Sequence, residues 1–115
     1  MIRTFVQTFE FQKKWKELGL DDDDLRRLEL IILDDPKAAP VIKGTGKLRK
    51  LRFAYPDRGK SGSIRVCYVD FVLYETIYLI TAYPKTKKDD LTKSECMAIR
   101  SAINEIEENL KVRKK

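Results

Sequence analysis

The stretch SIRVCYVDFVLYETIYLITAY, from Ser63 to Tyr83, contains two runs of strand-forming residues separated by a short polar interruption. The first run, Ser63–Phe71, alternates, so that one side carries Ile64, Val66 and Tyr68 and the other carries Arg65, Cys67 and Val69. The second run, Thr76–Tyr83, is apolar almost throughout, which is typical of a central strand buried on both faces. A tight turn near LYET would join the two runs as an antiparallel hairpin, so the sequence predicts a domain built around a sheet.

A further strand is predicted directly upstream of this hairpin, in KLRKLRFAY from Lys47 to Tyr55. The alternation places Leu51, Phe53 and Tyr55 on one side and Lys50, Arg52 and Ala54 on the other. The segment PDRGKSG that follows has the composition of a turn or loop. Lys50 and Arg52 therefore stand about 7 Å apart on one face of the predicted sheet.

The N-terminal part predicts a short strand at about Ile2–Val6 and then two helices. Phe11, Trp15 and Leu18 form the apolar stripe of the first helix, which Gly19 is suited to end. The run Asp21–Asp24 supplies capping residues for the second helix, whose buried face carries Leu25, Leu28 and Ile32 and which Pro36 stops. The segment APVIKGTG then serves as a connector.

A last helix begins after Thr92, which forms a capping box with Glu95. Its apolar stripe consists of Cys96, Ile99, Ile103, Ile106 and Leu110. The predicted order is β-α-α-β-β-β-α, an α+β fold with helices packed on a small, mostly antiparallel sheet. With 115 residues, the chain (1–115) is expected to form a single domain.

The amino-acid composition limits the kinds of catalytic and metal-binding site that the chain can form. The chain has no histidine, which removes the commonest general base and metal ligand. Cys67 and Cys96 are far apart and lie in apolar patterns, so we expect buried, reduced thiols and no zinc site. There is no nucleotide-binding motif, and the scattered carboxylates Asp57, Asp70, Asp89 and Asp90 do not suggest a metal site. We therefore expect no metal and no cofactor.

No membrane or export signal is evident. The N-terminus MIRTFVQTFEF lacks a long apolar core, and the apolar run from Val66 to Tyr83 is broken by Asp70 and Glu75. We expect a cytoplasmic protein with no membrane association.

Charge is segregated along the chain. Eight basic residues and one acid between Lys43 and Arg65 give a local balance of +7, whereas the whole chain carries +6. The segment from Glu17 to Asp35 has a balance of −6. The sequence therefore predicts one basic face, to which Lys85, Lys87 and Lys88 would contribute from the segment after the central strand. Such a face suits a phosphodiester, with Tyr68 or Tyr83 as surfaces for base stacking, although lysines and arginines also commonly form an ordinary solvated surface.

These segments together resemble a known family. VIKGTGKLRKLRFAYPDRGKSGSIRVCYVDF, followed by IYLITAYPKTKKDDLTKSE, resembles the RelE-type toxins of bacterial type II toxin–antitoxin systems, most closely the HigB-like branch. The resemblance is close from Val41 to about Glu95, and the element order of the whole chain agrees with it.

The resemblance implies a RelE-like fold and a metal-independent endoribonuclease that cuts mRNA in the ribosomal A site. It implies attack of a 2′-OH on the adjacent phosphorus, with Lys50, Arg52, Arg65 and Lys85 as catalytic residues. Arg65 would stabilise the phosphate, and Lys50 or Lys85 would transfer a proton. The expected RNA-binding residues are Arg49, Arg58, Lys60, Tyr68, Tyr83, Lys87 and Lys88.

The implied partners are the ribosome with its rRNA, mRNA and a cognate antitoxin protein, and operator DNA for the antitoxin complex. Two alternatives stay open. The resemblance also implies the possibility of a gyrase-directed toxin on the same fold, and the basic face alone is compatible with an RNA-binding module that does not cut.

Overall fold

A computed structural model of the chain describes residues 2–54, 63–85 and 90–114, with side chains to residue 113. Its elements, in chain order, are β1 (Thr4–Gln7), α1 (Phe9–Glu17), α2 (Asp22–Asp34), β2 (Arg49–Ala54), β3 (Ser63–Phe71), β4 (Thr76–Pro84) and α3 (Lys93–Lys114). A single turn of 3-10 helix, Val72–Tyr74, joins β3 to β4. The predicted α+β order is confirmed, and the strand predicted at Ile2–Val6 begins and ends slightly later.

The four strands form one sheet in the order β1-β4-β3-β2. The β2–β3 and β3–β4 pairs are antiparallel, whereas β1 runs parallel to β4. The predicted hairpin is therefore present, and Glu75 completes its turn with a φ of 49°. The β3–β4 register shifts between Cys67 and Tyr68, so that two residues of β4 oppose one of β3 at a β-bulge.

The sheet is covered on both faces. Helices α1 and α2 pack on one face through Phe11, Trp15, Leu28 and Ile32, which meet Ile64, Val66 and Tyr68 of β3. Helix α3 packs on the other face through Ile103 and Leu110, which meet Cys67, Val69 and Phe71. The alternation predicted for β3 is confirmed, because its two sets of side chains enter two separate cores.

The ends of the helices follow the predicted capping residues. Asp21 caps α2 and forms a capping box with Asp24, so the acidic run serves the helix start. Thr92 and Glu95 exchange both capping-box hydrogen bonds before α3, at 2.8 and 3.1 Å. Gly19, just after α1, has a φ of 75° and turns the chain towards α2.

The connector between α2 and β2 is tied to β2. The N–H of Lys50 donates to the Pro40 carbonyl, and Val41 forms an isolated bridge with Arg49. Gly44 and Gly46 both have positive φ, and the buried Thr45 between them accepts a hydrogen bond from the N–H of Leu48. The Gly-Thr-Gly motif therefore makes the turn that delivers the chain to β2.

Both cysteines are buried thiols outside any disulfide, as the sequence predicts. Among residues 2–54, 63–85 and 90–114, no helix has the length and hydrophobicity required to span a membrane.

Candidate active site

The register of β2 and β3 brings three of the predicted catalytic residues to one face of the sheet. Arg52 lies directly opposite Arg65, and Lys50 lies opposite Cys67. Directly opposed residues of an antiparallel pair point to the same face, so Lys50, Arg52 and Arg65 share the face that α3 covers further along. The prediction that Lys50 and Arg52 point away from Leu51 and Phe53 is confirmed.

These three cations line one depression of about 460 Å³ at the β2 edge of the sheet. Its remaining wall comes from Leu51 and from the connector, at Ala38, Ala39 and Pro40. The depression is therefore a cationic recess with one side formed by backbone and small side chains.

Arg65 is the most deeply placed of the three, with only 4% of its surface exposed. Its Nη1 donates a hydrogen bond of 2.8 Å to Oγ of Ser63 on the same strand. Like charges directly opposite each other destabilise a sheet, and burial of a cation is costly. The Arg52–Arg65 pairing nevertheless brings two guanidinium groups to one face of the sheet, where both line the recess.

Lys50 connects the sheet to the start of α3. Its Nζ lies 2.9 Å from Oδ1 of Asp90, a carboxylate that is 83% exposed. Asp90 itself does not cap α3, because the capping residue is Thr92. One acid therefore stands at the rim of a cationic recess, within reach of a residue predicted to transfer a proton.

Lys85 lies at the same end of the sheet. Its N–H donates to the carbonyl of Ser63 at 3.0 Å, and its side chain is exposed. The end of β4 thus lies beside the start of β3, which carries Arg65. The predicted RNA-binding residues Arg58, Lys60, Lys87 and Lys88 lie outside the described residues.

Tyr68 does not lie at this site. It points to the opposite face of the sheet, is 1% exposed, and donates its hydroxyl to the Pro36 carbonyl at 2.7 Å. Burial raises the pKa of the Tyr68 hydroxyl to about 12. The prediction that Tyr68 stacks on a base is wrong, because its ring belongs to the core beneath α1 and α2.

Tyr83 fails as a stacking surface for a different reason. It lies opposite Arg65 and shares its face, but its ring is buried in the core that α3 covers. Burial, with a smaller contribution from neighbouring Cys67, raises the pKa of the Tyr83 hydroxyl well above its ordinary value. The ring of Tyr83 therefore offers no exposed surface for base stacking.

Arg49 belongs to the opposite face from Lys50 and lies across from Tyr68. Its Nη1 donates to the carbonyls of Ala39 at 2.7 Å and Lys37 at 3.1 Å. These bonds fix the connector that walls the recess and give Arg49 a structural role, while its contact with RNA stays a prediction.

Sequence reasoning missed two features of this site. The connector wall at Ala38–Pro40 has no chemically distinctive side chain, and only its position two to four residues after the helix stop at Pro36 could have indicated it. Lys47 forms an ion pair of 2.6 Å with Glu107, which anchors α3 beside β2. This pair could not be predicted because the two residues lie far apart in the sequence. In the described part of the chain, no three Cys, Asp or Glu side chains are grouped as metal ligands.

Comparison with known proteins supports the fold. No protein-family model matches the chain. Among solved structures, the chain is similar to a double arginine-to-alanine mutant of the E. coli toxin RelE in the free state, with a TM-score of 0.58. The two share 16% sequence identity, and the match covers 85% of this chain and 97% of the RelE chain. The chain therefore has a RelE-like fold, as the sequence resemblance implied.

Proposed function

We propose that this chain is the toxin of a toxin–antitoxin module, on the HigB-like branch, and that it cuts mRNA in the ribosomal A site. The observation that carries the proposal is the convergence of Lys50, Arg52 and Arg65 on one recess. The likeness to a toxin of the same fold supports it. We propose the cytoplasm as its location and a cognate antitoxin as its protein partner.

The recess suits phosphodiester cleavage by a neighbouring 2′-OH. In that reaction the 2′ oxygen attacks phosphorus, a base takes its proton, and the leaving 5′ oxygen takes a proton from an acid. Negative charge grows on the phosphate oxygens, and guanidinium groups bind such oxygens with two donors in a fixed geometry. Arg65 is held by its burial and by Ser63, so its donors are already in place for the transition state.

Lys50 and Lys85 are the candidates for proton transfer. Lys50 lines the recess, whereas Lys85 approaches from the end of β4. Asp90 holds the Nζ of Lys50 at 2.9 Å and so competes with a phosphate for the same group. We propose that an incoming phosphodiester displaces Asp90 from Lys50 and leaves the carboxylate beside the reacting atoms.

The proposed partners would all bind the face of the sheet that carries the recess. The exposed cations would bind the phosphates of mRNA and rRNA, and an antitoxin that covers the recess would block both. We also propose, from the resemblance, that the antitoxin complex binds operator DNA.

The test is primer extension on a defined mRNA in a purified translation system, with and without ribosomes. We expect cuts within codons only when ribosomes are present. Arg52→Ala and Arg65→Ala should each lower cutting by about 100- to 1,000-fold, as the loss of one oxyanion donor does. Lys16→Ala, an exposed lysine on α1, is the matched control and should cut as the native chain does.

Circular dichroism must accompany Arg65→Ala, because that side chain is buried; Arg65→Lys keeps the charge but loses the planar fork and provides a second variant. Full cutting by a folded Arg65→Ala would refute its assignment. Intact mRNA with the native chain would refute the nuclease. Inhibition of supercoiling would then favour the gyrase-directed alternative, and salt-dependent RNA binding alone would favour a binding module.

A further inference from the structure

The outward face of α2 carries two exposed apolar residues side by side. Leu30 is 63% exposed and Ile31 is 42% exposed, whereas Leu28 and Ile32 of the same helix are buried beneath it. The exposed pair therefore contributes little to the packing of α2 on the sheet. Single exposed apolar residues are normal in proteins, so the surroundings of this pair decide whether it matters.

Charged residues flank the pair in a regular pattern. One shallow depression is lined by Asp23, Arg26, Arg27, Leu30, Ile31 and Asp34. Their spacings of three, four, seven, eight and eleven residues place them on one stripe of the helix. We call these six residues the α2 stripe. Its two arginines and two aspartates cancel in charge, although the segment around it is acidic.

The α2 stripe is complementary to itself when it is reversed. Arg26 and Asp34 each lie four residues from Leu30, on opposite sides, about 6 Å along the helix axis. A two-fold axis through Leu30 would bring the two Leu30 side chains together. It would also place Arg26 against Asp34 of the second copy, and do so twice. A parallel arrangement would instead oppose like charges.

We propose that the α2 stripe is a self-association surface on which α2 of a second copy packs in the antiparallel direction. The dimer would be isologous, with the same patch used by both copies. The apolar contact is small, so association is weak and depends on concentration. Helix α2 covers the sheet face opposite to Lys50, Arg52 and Arg65, so both recesses of the dimer would stay open.

Sedimentation equilibrium of the full chain, from about 10 µM to about 1 mM, tests the proposal. We expect a monomer–dimer equilibrium that Leu30→Asp abolishes. Leu73→Asp provides the matched control, because Leu73 is an exposed leucine outside the α2 stripe, and it should associate as the native chain does.

A charge exchange tests the geometry. Arg26→Glu and Asp34→Arg should each weaken association at least tenfold, because each opposes like charges across the axis. The double variant should restore it. Both positions are exposed, and the only ion pair of Arg26 among the described contacts is a surface pair with Asp23 at 3.5 Å, so both single variants should fold. We leave Arg27 unchanged because it donates to the Ala54 carbonyl and covers the Phe53 ring.

Three outcomes would overturn the proposal. The native chain could remain monomeric at about 1 mM. Leu73→Asp could disrupt association as strongly as Leu30→Asp, which would place the contact elsewhere. The double charge variant could fail to recover while both single variants lose association, which would exclude the antiparallel register.

Discussion

Adjacent residues of β2 have different roles because their side chains lie on opposite faces of the sheet. Arg49 donates to two carbonyls of the connector, whereas Lys50 lines the recess and meets Asp90. Arg52 is exposed at the same recess. The two arginines are chemically identical, so only their place on the strand separates a structural role from a proposed catalytic one.

Replacing the two arginines by alanine should separate those roles. Arg49→Ala removes a charged donor from two carbonyls and should lower the free energy of unfolding by about 2 kcal/mol. Arg52→Ala removes an exposed side chain and should change it by less than about 0.5 kcal/mol. Urea denaturation of both variants checks this, and equal losses in the two would contradict the division.

Tyr68 allows a test of the corrected assignment. Tyr68→Phe removes the hydroxyl that donates to the Pro36 carbonyl at 2.7 Å and leaves that acceptor unpaired. We expect a loss of about 1–2 kcal/mol in the free energy of unfolding. RNA binding should not change, because the ring lies beneath α1 and α2. An RNA affinity that falls in a fully folded Tyr68→Phe would instead give the hydroxyl a role in RNA binding.

Tyr68→Phe should also change how the free energy of unfolding depends on pH above about pH 10. The pKa of Tyr68 is raised to about 12 by burial, against 10.0 for an ordinary tyrosine. The unfolded chain therefore loses this proton first, and stability falls as the pH rises from about 10 to about 12. Tyr68→Phe should flatten that fall, while Tyr83, whose pKa is also raised, retains part of it. An unchanged pH dependence between pH 9 and 11 would refute this linkage.

Capping residues allowed the starts of α2 and α3 to be predicted from the sequence. The Thr92–Glu95 box and the acidic run before α2 were predicted, and both form as expected, because a capping bond depends on residues only three apart. The bulge in β4 was not predictable. Ile80 and Thr81 belong to an unbroken apolar run, so no alternation marks the point where the register with β3 shifts.

Removal of the cap of α3 should affect both stability and the candidate site. Thr92→Ala should lower the free energy of unfolding by about 1 kcal/mol, because the N–H of Glu95 loses its acceptor. Asp90, two residues earlier, should then hold Lys50 less firmly. Thr92→Ser, which keeps the hydroxyl, is the control. Thermal unfolding measures the effect, and equal melting temperatures for both variants would contradict the capping role.

Much of the whole fold followed from local patterns. Strand alternation predicted that Lys50 and Arg52 share one face of β2, whereas the register that sets Arg65 opposite Arg52 could not be predicted from alternation. The partner of β1 could not be predicted, because nothing in IRTFV points to β4, some seventy residues away. The burial of Tyr83 could not be predicted for a related reason. Helix α3 covers its ring, and no local sequence pattern indicates which residues a distant helix will cover.

A part-buried ion pair links the start of β1 to β3. Nε of Arg3, just before β1, lies 2.9 Å from Oδ1 of Asp70 on β3, whose side chain is 3% exposed, although β4 lies between the two strands. Arg3→Met would leave Asp70 buried without its arginine and should lower the free energy of unfolding by about 3 kcal/mol.

The double variant Arg3→Met with Asp70→Asn should regain part of that loss, because no charge is then left buried. Chemical denaturation of the two single variants and the double variant measures the coupling. Strictly additive losses would contradict a direct interaction.

The pairing of the first strand with the last sets the order in which the protein can be completed. Phe5 pairs with Ile77, and the chain between them must be synthesised before the two can meet. At the usual speed of translation, about 5–20 residues per second, that wait is roughly 4–14 s. Helix α3, which closes the second core, comes later still. A growing chain thus has the basic residues of β2 and β3 before it has a finished sheet, and the recess is complete only once β4 has been translated.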